Sequence, residues 1–589
     1  MSKLEKILKN TLSKKQQEIV FKKKDKFVVR ACPGSGKTYS VAARLTWKVE
    51  NWVHPHQGIA ALSFTNVAWQ EIKNMLENEF NLKYSFGYPH FLGTIDSFVN
   101  QYIFLPFGHK VMGCKNRPVL VGEPHGSWFY PQRRGYQAYN SCFDKFSFDI
   151  KDNLLKISDT FESFFGNINI FGTGHENNIK QSKGYLFKEG YSNQADGNYF
   201  AMKILEKYPK IAEALVFRFP ELIIDEAQDT SEIQMRIIDL LIENGLKEIM
   251  LVGDPDQAIF EWNDAKPELF EEKYSDWKNN SIKLNENRRS SQNICNFTYN
   301  LSSLNNTSEA ISDGVKNFSF VPEIIVFDQK LYGSIKKTID HFLNLCKGHG
   351  ISVGNENVAI VYRSRDFVFL IDNIKKERTS NTSPWKINDR LTKDFVQGKY
   401  FCDNKKFKEG FKIIEKAVVK AFENKNYCLI SDIKERIDKT GFVQHRLEVY
   451  KIYKQLPDTK IKLDDWVKEA KASFSGNDIS IKFDVKSENA GLTIEALFAT
   501  IKKELFRKNY RLGTVHSVKG ETFEAVLLFL KKKGVGKKYK TLLEEGKVTT
   551  DNEELRIVYV GITRPRKLLV MAVPSEEDKL CWENRLKYS

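Results

Sequence analysis

Apolar and polar positions along this chain fall into a repeating order of short apolar run, turn and amphipathic stretch. Phe27-Val28-Val29-Arg30-Ala31 has the length of a buried strand, empties into Cys32-Pro33-Gly34-Ser35-Gly36, and gives way to helical spacing from Lys37 onward. The order returns at 58–64, followed by an amphipathic helix over 67–77, and again at 91–98, 220–229 and 248–252. Continuous apolar runs of this length, separated by helical periodicity, predict parallel strands with crossover helices, an α/β fold. A capped helix is expected over 12–20, opened by Ser13. From 100 to 208 the pattern dissolves into Gly, Asn, Phe and Lys, which reads as an inserted subdomain of undetermined fold. Residues 365–510 read as Lys-rich and predominantly helical, including 411–424 and 466–474, and a last apolar strand is expected at 525–530.

With 589 residues there is length for several domains. The formal net charge of +16 is spread along the chain instead of being confined to a tail, which favours a polyanionic partner such as nucleic acid. Aromatic residues, at 13%, are numerous enough to supply stacking faces for bases. The eight cysteines are scattered, with neither C-x-x-C pairs nor zinc spacing, so reduced thiols and a cytoplasmic location are expected. No apolar run approaches the roughly 20 residues of a membrane helix, and no membrane partner is expected.

The chemistry concentrates at strand ends. Gly34, Ser35 and Gly36 form a phosphate-binding loop whose N–H groups curl inward; Lys37 can reach the β- and γ-phosphates and the Thr38 hydroxyl can ligate Mg²⁺. Ala31 replaces the first glycine of the usual pattern, a small residue that leaves the turn feasible. Gln16 or Gln17 lies on a face that can turn toward a base. Asp225-Glu226 ends an apolar strand, where Asp225 would hold Mg²⁺ and Glu226 would polarise the attacking water. Gln257 follows another strand and could report the γ-phosphate. Phe260 and Trp262 could offer ring faces to unstacked bases, and Thr65, Asn66, Thr94 and Ser97 could contact phosphates.

Taken in order, Gln16, Ala31 to Thr38, Phe64-Thr65-Asn66, Gly93 to Phe98, Asp225-Glu226-Ala227-Gln228 and Val252-Gly253-Asp254-x-Asp256-Gln257 resemble the motor motifs of UvrD/Rep-like superfamily 1A DNA helicases. The second half continues the resemblance with Leu284 to Ser290, Val361-Tyr362-Arg363-Ser364, Thr514-Val515-His516-Ser517-Val518-Lys519-Gly520 and Arg556 to Arg564. The resemblance implies two RecA-like P-loop domains, parallel sheets flanked by helices, each with an inserted mainly helical accessory subdomain. The implied boundaries are 1–99 plus 209–283 for domain 1A, 100–208 for 1B, 284–377 plus 510–589 for 2A and 378–509 for 2B.

It further implies ATP and Mg²⁺ in the cleft between 1A and 2A. Lys37, Glu226, Gln257, Arg289 and Arg564 would be catalytic, the two arginines neutralising charge on the γ-phosphoryl group. Gln16, the P-loop, Arg288 and Glu521 would hold the nucleotide. Phe64, Thr65, Asn66, Thr94, Phe260, Trp262, Arg363 and His516 would hold DNA. The expected activity is 3′-to-5′ translocation on single-stranded DNA with unwinding of tailed duplexes. Three departures bear on the nucleotide: Arg288 stands where an aromatic usually stacks on adenine, the carboxylate at Glu521 is displaced by one residue from the family's position, and Asn263 replaces an arginine. The stretch His516 to Thr522 is similar to the helicase components of Gabija-type phage-defence systems, which implies an alternative: a DNA-stimulated NTPase that senses DNA ends or single strands and regulates a separate partner nuclease. Reading the chain as a P-loop signalling or transport ATPase leaves Trp262, Arg289 and Arg564 without a role, and no nuclease is expected within it.

Overall fold

In the computed structural model, the structure describes residues 3–22, 25–80, 87–122, 125, 143, 145–157, 171–259, 265–303, 307–328, 331–363, 367, 385, 391–423, 428, 430–475, 481–485, 493–498, 509–532 and 538–586. The chain divides into two compact units, one of residues 1–120, 132–374 and 508–589, the other of 121–131 and 375–507.

Two parallel sheets organise the first unit. The N-terminal sheet contains β1 (Lys26–Ala31), β2 (Ile59–Ser63), β3 (Phe91–Thr94), β4 (Glu221–Asp225), β5 (Glu248–Gly253) and β6 (Ile282–Leu284), in the order β6-β1-β5-β4-β2-β3. The second holds β7 (Glu323–Val326), β8 (Val358–Tyr362), β9 (Arg511–Thr514), β10 (Phe523–Phe529) and β11 (Pro565–Val573), in the order β7-β11-β10-β8-β9. Their apolar runs are continuous because both faces are covered. In β10, Val526 and Leu528 enter one core while Ala525, Leu527 and Phe529 enter the other, on the period of two that a strand imposes.

Register brings the polar strand ends together. Ser63 pairs with Asp225 and with Thr94, and Arg30 is level with Gly253, so the carboxyl ends of β1 to β5 form one edge. The helix Lys37–Glu50 is fixed against the opposite edge: Arg44, 2% exposed, donates to the Ile19 and Lys22 carbonyls and pairs with Glu221, while Lys48 bridges Glu221 and Glu248.

Between β3 and β4 the chain forms helices Gly174–Lys188 and Gln194–Lys207 with short strand pairs, and all of it but 121–131 belongs to the first unit. The second unit is helical. Leu391–Asp403, Phe407–Phe422, Phe442–Gln455 and Leu463–Phe474 surround a core that includes the buried Trp466, whose indole N–H donates to the Pro457 carbonyl at 3.0 Å. Among the described residues no helix is long and apolar enough to cross a membrane.

Candidate functional site: the cleft between the two sheets

The P-loop is shaped by glycine and by the domain facing it. Gly34 and Gly36 take φ of 71° and 78°, values that disfavour other residues. A Cβ on Gly34 would lie 2.5 Å from Arg289 Cβ and 2.8 Å from Asn287 Oδ1, and the Gly34 carbonyl accepts from the Arg288 N–H at 2.8 Å. The loop therefore sits directly against the segment that follows β6.

Ser13 decides between the two glutamines. Its hydroxyl accepts from the Gln16 N–H while the Gln16 side chain accepts from the Ser13 N–H, a capping box that holds Gln16 inward and 1% exposed. Gln16 Nε2 lies 3.0 Å from the Cβ position of Gly36, and Arg288 Cδ lies 3.7 Å from it. Gln17 instead donates to the Lys9 and Leu12 carbonyls.

Asp225 ends β4 buried, and Glu226 follows at φ 53°, left-handed without being glycine, a strain on the order of 1–3 kcal/mol. The Glu226 N–H donates to Asp225 Oδ1, and Gln228 Nε2 donates to Glu226 Oε2 at 2.6 Å. Gln228 also donates to Asp229 and accepts from the Asp254 N–H, so one fully buried amide orients three acidic positions. Burial and the neighbouring Glu226 push the Asp225 carboxyl up. Burial opposes ionisation of Glu226 too, but Lys37, Lys519 and the Gln228 bond outweigh it and hold Glu226 low. Lys37 is likewise opposed by burial and raised overall by Glu226, Asp254 and Asp225.

Cations come from the segments that follow β6 and that precede β10 and β11. Arg564 donates to the Val560 carbonyl at 2.9 Å and to Gln257 Oε1, whose own amide donates to Asp254. Arg289 donates to the Thr563 carbonyl at 3.1 Å. Burial, then the charge of Arg289, pulls Arg564 down to about 9; burial also pulls Arg289 down to about 10. Lys519 reaches Asp229 at 2.7 Å. Gln228, Asp254 and Lys519 lie inside the motifs without a role there, and Asp229 lies just beyond one; their meaning is in pairings the order of residues does not display.

Several buried polar atoms around the loop lack a hydrogen-bond partner: Gln16 Nε2, Ser35 Oγ, Asp225 Oδ2 and Arg288 Nε. Donors, a hydroxyl, a carboxylate oxygen and two guanidinium groups around one glycine turn fit a polyphosphate with its cation and base.

Away from the P-loop, Thr65 caps helix Asn66–Asn78, accepting from the Ala68 N–H, and Asn66 Oδ1 accepts from the Trp69 indole N–H. Phe64 is half-buried beside them. Thr94 and Thr514 form matching turns on the edge strands of the two sheets. Thr94 Oγ1 accepts from the Ser97 N–H at 3.1 Å and Thr514 Oγ1 from the Ser517 N–H at 3.3 Å, and each serine hydroxyl returns to the threonine carbonyl at 2.8 Å. The local sequences Gly93-Thr94-Ile95-Asp96-Ser97 and Gly513-Thr514-Val515-His516-Ser517 are alike for a steric reason: a Cβ would lie 3.0 Å and 2.4 Å from the serine oxygens.

Two expected ligand contacts are engaged inside 2A. Arg363 makes a bidentate pair with Glu554 at 2.6 and 2.9 Å, and Glu521 a bidentate pair with Arg511 at 3.1 and 3.2 Å. Thr38 is the second residue of helix Lys37–Glu50. Burial, then the charges of Arg363 and Lys519, lowers the His516 pKa. Phe260 and Trp262 lie outside the described residues.

Residues 12–113 and 143–278 match the family profile of the UvrD/REP helicase N-terminal domain. The chain is similar to DNA helicase II of Haemophilus influenzae, 26% identical over 302 residues that cover 48% of this chain and 39% of that protein. It is also similar to the exonuclease/helicase protein RexA of Streptococcus pneumoniae serotype 4, 32% identical over 184 residues covering 30% of this chain and 14% of that protein. An ATP-dependent helicase/nuclease component of Lactococcus lactis subsp. cremoris is 40% identical over 128 residues, covering 20% of this chain and 10% of that protein. The matches thus span well under half of each relative's length. With the P-loop, the acidic pair and the two parallel sheets already in view, they show that the N-terminal part of this chain is similar to the UvrD/REP helicase N-terminal domain and support the resemblance to UvrD-like superfamily 1A helicases.

Proposed function

We propose that the chain is a DNA-dependent ATPase that moves 3′ to 5′ along single-stranded DNA and unwinds tailed duplexes. The observation that supports this most is the convergence of Lys37, Glu226 and Gln257 from the ends of one sheet with Arg289, after β6, and Arg564, before β11, on one P-loop. In this reading the P-loop N–H groups and Lys37 hold the phosphates, Gln16 and Arg288 hold the base, and Thr38 with Asp225 Oδ2 would hold Mg²⁺. The metal supplies charge neutralisation between the phosphates. Glu226, kept ionised, accepts the proton of the attacking water. Arg564 and Arg289 neutralise charge on the transferred group, and Gln257, bonded to Arg564, links its presence to 2A. Because the arginines belong to the opposite domain, hydrolysis and cleft geometry are coupled.

Thr94 and Thr514, in like turns on the two edge strands, suit successive backbone phosphates, with Phe64, Thr65, Asn66, Phe260, Trp262, Arg363 and His516 completing the DNA path. The test is ATP hydrolysis with and without single-stranded DNA, beside displacement on duplexes with a 3′ or a 5′ tail. Lys37→Ala and Glu226→Gln should each reduce turnover at least a hundredfold, with Glu226→Gln still binding ATP; retained turnover refutes the site. Stimulated hydrolysis without displacement on either tail would favour the alternative, a DNA sensor that regulates a partner nuclease in phage defence.

A further inference from the structure

The turn after β5 is encoded within 1A, yet from Asp256 onward 2A holds it. Asp254 is fixed to 1A, its N–H donating to Gln228 Oε1 at 3.0 Å. Two residues later Asp256, 1% exposed, accepts from the hydroxyls of Ser302, Ser303 and Thr549, each at 2.5 Å, and from the Ser303 N–H at 3.1 Å. Such short O–H···O contacts to a carboxylate are charge-assisted and strong. Gln257 accepts from Arg564, the Ala258 carbonyl accepts from Arg556 Nε at 2.6 Å, and Ile259 is buried in the core beneath the second sheet.

We propose that Asp256 is a positioning residue for hydrolysis: it latches the turn 256–259 to 2A, so that Gln257 and Arg564 meet the γ-phosphate as one unit. Asp254 is tied into the same turn, its Oδ1 accepting from the Asp256 N–H at 3.1 Å and its carbonyl from the Gln257 N–H at 2.9 Å, so a shift of Asp256 is passed directly to Gln257. The latch rests on the ATPase reading of the cleft. Asp256 itself makes no contact with nucleotide in this scheme; its effect passes through Gln257.

The test is a pair of backgrounds in the full chain. Asp256→Asn replaces one acceptor oxygen by a donor group facing the hydroxyls and removes the charge. It should lower kcat for DNA-stimulated ATP hydrolysis about tenfold, leave KM for ATP within twofold, and cause no further loss of kcat when Gln257 is already Ala. An unchanged kcat overturns the latch, and so does an equal loss in both backgrounds, since that reports general destabilisation. Should Asp256→Asn not fold, Ser303→Ala and Thr549→Val, which each delete one donor, carry the same comparison. Lys37→Ala run alongside separates the two claims. Turnover surviving in Lys37→Ala refutes the ATPase site itself; turnover lost there, with normal kinetics in Asp256→Asn, refutes the latch alone.

Discussion

Replacing Arg564 by Met removes a guanidinium that is 2% exposed and lies beside Arg289; among the described residues neither arginine forms an ion pair. Burial, then the charge of Arg289, brings its pKa from 12.5 to about 9. At 1.36 kcal/mol per pH unit this corresponds to about 5 kcal/mol, a ceiling on the cost of holding that charge in the nucleotide-free fold. Methionine retains the apolar stem but loses the bonds to the Val560 carbonyl and to Gln257 Oε1, roughly 1 kcal/mol each, and leaves the Gln257 acceptor unsatisfied. A net stabilisation of about 1–2 kcal/mol remains. For a unit of this size it should raise the melting temperature of the nucleotide-free protein by about 1–2 °C. Turnover should fall about 10³-fold or more, the usual value of an arginine on a transferring phosphoryl group. Differential scanning calorimetry without nucleotide, repeated with a non-hydrolysable ATP analogue, measures both sides: the native chain should gain more from the analogue than Arg564→Met does. Arg564→Lys, which keeps a buried cation, should show no gain in melting temperature. A fall in melting temperature for Arg564→Met, or turnover above a tenth of native, would refute the view that the fold stores an uncompensated charge for the phosphate to neutralise.

Two further outcomes follow from other contacts. Lys519→Ala strands the buried Asp229 carboxylate without its cation and should cost about 2–3 kcal/mol by thermal melting; adding Asp229→Asn should recover more than half, and failure of that rescue would deny the pairing its structural weight. His90 accepts the Ile59 N–H through Nδ1 and is pulled down to about 4, by burial first and by Arg218 second. Its ordinary value is 6.5, so between pH 6.5 and 4 the unfolded chain binds the extra proton and stability falls on acidification, by about 1–2 kcal/mol after allowing for partial exposure. His90→Asn should flatten that part of the melting-temperature profile relative to the native chain, and parallel profiles would rule His90 out.

What could be read from the order of residues was what short-range geometry dictates. Ser13 and Gln16, three apart, announce a capping box. Gly34 and Gly36 announce a turn that only glycine makes, and Asp225-Glu226 is consecutive at a strand end. The apolar runs of β1, β5 and β10 announce strands buried on both faces. Helices Gly174–Lys188 and Gln194–Lys207 escaped because their interior is polar: Lys183 and Asp196 are buried as an ion pair at 2.8 Å, with Ser182 and Asn193 beside them, and this breaks the apolar stripe that marks a helix. The Asp229 to Lys519 and Asp256 to Thr549 contacts span nearly 300 positions and leave no periodic trace. Arg363 and Glu521 were read by motif position alone, which cannot reveal that Glu554 and Arg511 claim them.

The paired turns at Thr94 and Thr514 are the exception among the long-range features, because their likeness is written locally. Each needs glycine before the threonine and serine three residues after it, so the sequence repeats wherever the geometry does. A DNA backbone presents equivalent phosphates at regular spacing, and in the proposed function two equivalent turns, one on each sheet, would meet it without caring which bases are present. In the proposed cycle, closing the cleft changes the distance between these turns and leaves each turn's own hydrogen bonds intact. Stepping along a uniform strand demands that combination: rigid contacts, a variable gap, and a nucleotide at the joint that sets the gap.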